Sequence, residues 1–116
     1  MFARLMGLKT ISPAALQRLL HDSEPAFVVD VNSAQSWAKA HVPGAIHADP
    51  VTFLEAALPK SKDVPLVFYC SNLLCRKAPN AARRAEQMGY RNVQVMSAGI
   101  SGWLSAGLAT ESGQAG

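Results

Sequence analysis

The chain contains two cysteines, Cys70 and Cys75, and both follow an apolar run that extends from Val64 to Tyr69. That run is rich in β-branched and aromatic residues, which is typical of a buried strand. A thiol at the carboxyl end of such a strand, just before a helix begins, lies where parallel sheets bind ligands. The helix start supplies unpaired N–H groups and partial positive charge, which favour a thiolate. We therefore predict that Cys70 is a nucleophile; the alternative is a buried structural cysteine.

The residues that follow Cys70 favour the binding of a small anion. Arg76 and Lys77 add positive charge, and the stretch from Cys70 to Ala82 contains no acidic residue. Arginine binds oxyanions through two parallel hydrogen bonds, although a solvated basic helix start is the alternative interpretation. The polar side chains of the loop either donate hydrogen bonds to the anion or simply form a turn. The predicted substrate-binding residues are Ser71, Asn72, Leu73, Leu74, Cys75, Arg76 and Lys77.

Two features of this loop leave alternatives open. Cys75 either resolves an oxidised or persulfide form of Cys70 or is an inert residue at the helix start. Leu73 and Leu74 either form an apolar rim that docks a protein or fold back on the core. Because the two cysteines are five residues apart in one loop, a disulfide framework is not expected. The histidines show no ligand spacing with the cysteines, so we expect no metal and no other cofactor.

The elements that must position Cys70 alternate between strands and helices. Strands are predicted over residues 8–11, 26–31 and 64–69, within 41–47, and over 93–96. Helices are predicted to begin at Ser12-Pro13 and Asn32-Ser33, to cover 51–58 and 78–88, and to follow Ser97-Ala98-Gly99. This alternation indicates an α/β fold with a parallel sheet and right-handed crossovers.

Length and composition exclude several classes of protein. A chain of 116 residues, 49% of them hydrophobic, suits one domain with one core. The net charge of +3 is modest and no basic block alternates with aromatics, so a nucleic-acid partner is not expected. No apolar run is long enough to span a bilayer, and the amino terminus is a poor signal peptide. We therefore expect a cytoplasmic protein with no membrane partner.

Four segments carry a resemblance to a known family. They are Val28-Val29-Asp30-Val31, His41-Val42-Pro43-Gly44-Ala45, Phe68-Tyr69-Cys70, and Gly99-Ile100-Ser101-Gly102-Trp103. The last resembles a closing "G-G-x-x-x-W" pattern, with Ala98 where the first glycine usually stands. In order and spacing, the four together resemble the single-domain rhodanese-like sulfurtransferases.

The resemblance implies a three-layer α/β/α fold with a five-stranded parallel sheet. It divides the chain into an N-terminal extension (1–7), a rhodanese-like domain (8–110) and a flexible tail (111–116). It also implies that Cys70 takes a sulfane sulfur from a donor such as thiosulfate, holds it as a persulfide and passes it to a thiophilic acceptor. The implied partners are a small anionic sulfur donor, a thiol or cyanide acceptor, and an acceptor protein.

Two further residues are predicted to support the site. Asp30 either braces the cysteine loop or a neighbouring helix, or caps the next helix. His41 is expected to form structural hydrogen bonds in its turn rather than to act as a catalytic base. The position two residues after Asp30, often an arginine in the family, is Asn32 here, so an ion pair or anion contact is expected to be absent.

The loop length keeps other functions open. Five residues separate Cys70 from Arg76, one more than rhodaneses usually have. This C-x5-R spacing resembles that of rhodanese-related phosphatases and arsenate reductases, whose wider loop binds a tetrahedral oxyanion. Phosphatase chemistry needs a general acid, which here would have to be Asp30 or Asp49. A non-catalytic module that binds a protein through Leu73 and Leu74 is the third hypothesis.

Overall fold

The computed structural model describes residues 2–22, 26–53 and 55–113. Five parallel strands form one sheet in the order β1-β5-β4-β2-β3, which confirms the predicted fold class. The strands are β1 (Lys9–Thr10), β2 (Phe27–Asp30), β3 (Ile46–His47), β4 (Leu66–Tyr69) and β5 (Val93–Val95). Strand β4 lies at the centre of the sheet and all four of its residues are buried, which agrees with its continuous apolar sequence.

Helices cover both faces of the sheet. They are α1 (Phe2–Leu5), α2 (Pro13–His21), α3 (Ala34–Lys39), α4 (Lys77–Gln87) and α5 (Gly99–Ser105). One apolar cluster joins the alanine face of α4 and Ala3 of α1 to one side of the sheet. The other cluster joins Leu16 of α2 and Trp103 of α5 to the opposite side. The molecule therefore has the three layers that the resemblance implied. No helix among the described residues is both long and apolar enough to cross a membrane.

Two of the predicted helix starts form as their sequences indicate. The Ser12 side chain accepts a hydrogen bond from the Ala15 N–H, and Pro13 occupies the first turn of α2. The Ser33 side chain accepts one from the Ser36 N–H and caps α3 in the same way. Asp30 is therefore not the cap of α3, and its side chain is free to make the contacts described below.

The helix predicted over residues 51–58 is wrong. Among the described residues of this segment, the structure has a turn followed by a short 3-10 helix, Glu55–Ala57. The Asp49 carboxylate accepts hydrogen bonds from the N–H groups of Val51 and Thr52, which closes a turn in place of the first helical turn. These hydrogen bonds lower the pKa of Asp49.

Both ends of the described part of the chain contact the rest of the molecule. Helix α1 belongs to the predicted N-terminal extension, and its residue Ala3 is fully buried. In the predicted tail, the backbone of Glu111 exchanges two hydrogen bonds with that of His41, and the Gly113 N–H donates to the Ala38 carbonyl. Residue 1 and residues 114–116, to which those predictions also refer, lie outside the described part of the chain.

Candidate active site

Cys70 follows the last residue of β4 and its side chain is almost fully buried, with 3% exposed. The loop after it is fastened to the start of α5. The Ile100 N–H donates to the Cys70 carbonyl at 2.9 Å, and the Ser101 N–H donates to the Ser71 carbonyl at 3.0 Å. The segment that resembled a closing glycine-rich motif therefore positions the predicted nucleophile.

Gly99 allows this close approach. A Cβ at this position would lie 2.5 Å from the carbonyl carbon of Ser71 and 2.7 Å from the backbone nitrogen of Asn72. Gly99 also has a φ of +66°, which lies in the left-handed region that residues with a Cβ rarely adopt. A larger residue at position 99 would displace the cysteine loop, α5, or both.

Asn72 folds the cysteine loop back on itself. Its side-chain oxygen accepts a hydrogen bond from the Leu74 N–H at 2.9 Å, and its carbonyl accepts one from the Cys75 N–H at 3.1 Å. The resulting turn brings Cys75 to Cys70, with their Cα atoms 6.4 Å apart, and a disulfide joins the two sulfurs. The expectation of no disulfide was therefore wrong, because the sequence spacing did not reveal this turn.

Several loop N–H groups have no acceptor within the part of the chain that the structure describes. They are those of Ser71, Asn72, Leu73 and Arg76. The Ser71 hydroxyl donates to the Asn32 side-chain oxygen at 2.8 Å, so the residue at the usual arginine position contacts the loop directly. These free donors are the groups from which a cradle for an anion can be built.

A small cavity of about 10 Å³ lies beside the two cysteines. Its wall includes Phe2 and Ala3 of α1, which cover the site, and Ser97. The Ser97 hydroxyl is buried and has no hydrogen-bond partner among the described residues. Sequence analysis assigned no role to Phe2 or Ser97. Both residues are far from Cys70 in the sequence, so no local pattern predicts that they lie beside it. Only the packing of α1 and of the β5–α5 connection brings them to the cavity.

Arg76 and Lys77, at the end of the loop, are exposed, and neither forms an ion pair with a described residue. The Arg76 guanidinium lies over the Phe2 ring, with its central carbon 4.5 Å from the ring centroid. Such a cation–π contact fixes the position of the charge without neutralising it. The positive charge predicted for this loop is therefore retained, and α1 helps to hold it.

An open groove of about 620 Å³ adjoins the cavity. The two share Leu73 and Ser97, and Arg4, Leu5 and Ile11 are among the other residues that line the groove. Leu73 and Leu74 are 53% and 72% exposed, so they do not fold back on the core. The loop therefore presents an apolar rim beside an apolar groove.

Asp30 lies at the end of β2 and is fully buried. It accepts hydrogen bonds from the Tyr69 hydroxyl at 2.7 Å and from the Asn32 N–H at 2.8 Å. The Tyr69 hydroxyl in turn accepts one from the Val42 N–H at 3.0 Å. Burial raises the pKa of Asp30 despite these hydrogen bonds, and burial together with the Asp30 carboxylate raises the pKa of Tyr69. This network links β2, β4 and the turn after α3.

His41 uses its ring and its backbone for structural contacts. Its Nδ1–H donates to the Trp37 carbonyl at 2.6 Å, and its ring stacks on that of Trp37 with the centroids 4.3 Å apart. The other ring nitrogen lies 3.8 Å from a carboxylate oxygen of Glu111. Because the ring is buried among these groups, its geometry fits the structural role expected from the sequence.

No group of three or more His, Cys, Asp or Glu side chains is arranged to hold a metal ion in residues 2–22, 26–53 and 55–113. The donors around Cys70 are amides, hydroxyls and a guanidinium, which suit an anion rather than a cation.

Comparisons with known proteins found similar sequences and similar folds. Residues 12–106 match the family model described as the rhodanese-like domain. A thiosulfate sulfurtransferase, GlpE of Haemophilus influenzae (strain 86-028NP), is 28% identical over 103 residues, which cover 89% of this chain and 94% of that relative. This chain also matches the crystal structure of the BH2092 protein from Bacillus halodurans, with a TM-score of 0.80 and 25% sequence identity. The match covers 96% of this chain and 83% of that one.

A further relative is named as a transcriptional regulator rather than as a sulfurtransferase. The HTH-type transcriptional regulator Rv0324 of Mycobacterium tuberculosis is 31% identical over 86 residues. The match covers 74% of this chain but only 38% of the regulator, so the present chain corresponds to a minor part of that protein. The family match includes β4, the cysteine loop and α5, whereas α1 precedes it.

Proposed function

The chain belongs to the rhodanese-like domain family, and on this premise we propose that it transfers sulfane sulfur through a persulfide on Cys70. The donor is a small anion such as thiosulfate. The reduced Cys70 thiolate attacks the outer sulfur of the donor, the sulfur–sulfur bond breaks, and sulfite leaves with the electron pair. A thiol or cyanide then attacks the outer sulfur of the persulfide and regenerates the thiolate.

One observation carries this proposal. Cys70 ends a buried strand and starts a loop in which the N–H groups of Ser71, Asn72 and Leu73 have no acceptor among the described residues. Such donors stabilise negative charge on a thiolate, on a persulfide and on a departing sulfite. Arg76, held over Phe2, adds positive charge at the end of the same loop. The Ser97 hydroxyl can donate one more hydrogen bond from the cavity wall.

The name of the Haemophilus relative supports thiosulfate as a donor. An acceptor protein could dock on Leu73 and Leu74, which are exposed next to the cysteines. A reducing compartment such as the cytoplasm suits this cycle, because each turnover has to return Cys70 as a thiolate.

The phosphatase and arsenate reductase alternative is less well supported. Of the two candidate general acids, Asp30 is bound to the Tyr69 hydroxyl and the Asn32 N–H, and Asp49 is bound to two N–H groups of its own turn. Neither residue lines the cavity beside the cysteines, so neither carboxyl group is placed there to protonate a leaving oxygen. The binding-module alternative gains some support from the transcriptional regulator named above, in addition to the exposed leucines.

The test is an assay of the reduced protein with thiosulfate and cyanide, and separate assays with an aryl phosphate and with arsenate. We expect activity in the first assay, measured as thiocyanate formation, and none in the other two. The variant Cys70→Ser should give only background thiocyanate, because an alcohol at this position is not ionised near neutral pH. Phosphate release or arsenate reduction without thiocyanate would favour the second hypothesis, and inactivity in all assays would favour the binding module.

A further inference from the structure

We propose that Cys75 resolves the persulfide on Cys70, so that the domain releases its sulfur as hydrogen sulfide and becomes the Cys70–Cys75 disulfide. An external dithiol then reduces this disulfide and restores both thiols. This inference rests on the proposed function, because the sulfur must first be loaded onto Cys70. It adds a second activity, which is the reduction of sulfane sulfur to sulfide at the cost of a dithiol.

The first support is the pairing of the two cysteines within one loop. The Cα atoms of Cys70 and Cys75 are 6.4 Å apart, within the range that a disulfide spans without movement of the backbone. The turn at Asn72, with its two hydrogen bonds to the Leu74 and Cys75 N–H groups, holds the loop in the shape that pairs them. The second thiol is therefore within reach of the first, and of a persulfide formed on it.

The second support is that the disulfide form has no room for a donor. The cavity beside the cysteines measures about 10 Å³, which is barely enough for one water molecule. In this form the Cys70 sulfur also has no free valence for a further sulfur atom. The structure therefore represents a state in which the site is closed, and uptake of sulfur must begin from the reduced state.

The third support is the charge around Cys75. It precedes Arg76, Lys77 and the start of α4, and no acidic residue lies between Cys70 and Ala82. Positive charge and a helix start favour the thiolate form of a cysteine, which is the form that attacks. Because both thiols belong to one loop, the attack is intramolecular and does not depend on protein concentration.

The chemistry balances without an oxidant. The Cys75 thiolate attacks the Cys70 sulfur, which is the inner sulfur of the persulfide. The Cys70–Cys75 bond forms and the bond to the outer sulfur breaks. The outer sulfur leaves with the electron pair, takes up a proton and is reduced to hydrosulfide, while the two cysteines are oxidised to the disulfide. A dithiol reductant then exchanges with this disulfide, becoming a disulfide itself and leaving both cysteines as thiols.

A single-turnover experiment tests this step. The reduced protein is freed of reductant without oxygen and receives one equivalent of thiosulfate per chain. We expect the wild-type protein to release about one sulfide per chain and to lose both free thiols, because each resolved persulfide yields one sulfide and one disulfide. The rate of release should not change when the protein is diluted tenfold. Sulfide release, thiol titration and intact mass are the readouts.

The variants Cys75→Ser and Cys75→Ala both remove the resolving thiol, so that the result does not depend on one substitution. We expect both to retain the added sulfur as a gain in intact mass and to release sulfide only after a dithiol is added. If wild-type protein retains the sulfur as these variants do, the inference is wrong and the proposed sulfur uptake stands. If no form takes up sulfur, the proposed function fails, and this inference fails with it.

Discussion

Two segments of the chain differ in how they use their polar groups. The cysteine loop, Ser71–Arg76, is exposed apart from the half-buried Cys75, and several of its N–H groups have no described acceptor. The histidine turn, residues 41–47, is held by three hydrogen bonds, of which those of His41 and Val42 are buried. In that turn the His41 ring donates to the Trp37 carbonyl, the Val42 N–H to the Tyr69 hydroxyl, and the Gly44 N–H to the Glu111 carboxylate.

Both segments contribute motifs to the family resemblance, yet the structure gives them different tasks. In the histidine turn, the donors named above are bound within the protein, so they stabilise the fold. In the cysteine loop, donors are left for a ligand, and the backbone is held from outside by the start of α5. We therefore expect substitutions at the cysteine loop to change sulfur transfer, and substitutions at the histidine turn to change stability.

The largest effect is expected from Gly99→Ala. The added methyl group would lie 2.5 Å from the Ser71 carbonyl carbon, so the cysteine loop has to move. A displacement of about 1 Å at a reacting group can lower a rate about a hundredfold, and we expect a loss of this size in kcat/KM for thiocyanate formation.

Gly107→Ala is the matched control. Gly107 also has a positive φ, +74°, but a Cβ there would contact nothing within 4 Å. It therefore reproduces the backbone strain of Gly99→Ala without the collision. Equal losses of activity in the two variants would refute the role given to Gly99.

The next effect is a loss of stability in Tyr69→Phe. Removing this hydroxyl leaves the Val42 N–H and the Asp30 carboxylate each without one buried partner. We expect the free energy of unfolding in urea to fall by about 2 kcal/mol. Tyr90→Phe removes a hydroxyl whose one hydrogen bond, to the Pro59 carbonyl, is only partly buried, so that control should lose less. An equal loss in both would contradict the importance of the buried network.

A smaller loss of stability is expected in His41→Ala. The variant loses the hydrogen bond to the Trp37 carbonyl and the stacking on the Trp37 ring, and we expect a cost of about 1 kcal/mol. Sulfur uptake by the folded variant should remain close to that of wild type, because His41 is not among the residues that line the cavity beside the cysteines. A decrease as large as that of Gly99→Ala would mean that the histidine turn takes part in the chemistry.

The smallest effect is a pH dependence that Asp30 contributes. Its pKa is raised in the folded protein, chiefly by burial, so over the interval above its ordinary value of 3.8 the folded state binds more protons than the unfolded state. Its contribution to stability therefore decreases as the pH rises through this interval. The stability of wild type minus that of Asp30→Asn should therefore fall as the pH rises above 3.8.

The other carboxylates do not obscure this comparison. The pKa values of Asp49 and Asp63 are lowered, which gives the opposite pH dependence, but both residues are present in the two proteins and cancel in the difference. A difference that stays constant or grows with pH would contradict the raised pKa of Asp30. Urea unfolding followed at several pH values measures it.

Much of the fold could be predicted from local patterns. The apolar runs that became β2 and β4, and the capping residues Ser12 and Ser33, depend on neighbouring residues that the sequence displays. The helix predicted over residues 51–58 failed because the Asp49 side chain competes with the helical backbone for the same N–H groups. That competition depends on side-chain conformation, which hydrophobic periodicity does not report.

By itself, the sequence determined the fold class and the position of Cys70 at the end of a buried strand, because strand pattern and helix start are both local features. Only the tertiary structure decided that Cys75 reaches Cys70, that Gly99 touches the Ser71 backbone, and that Phe2 covers the site beneath Arg76. These contacts depend on the shape of a loop and on elements far apart in the chain. Their geometry follows from how the layers pack, and no spacing in the sequence encodes it directly.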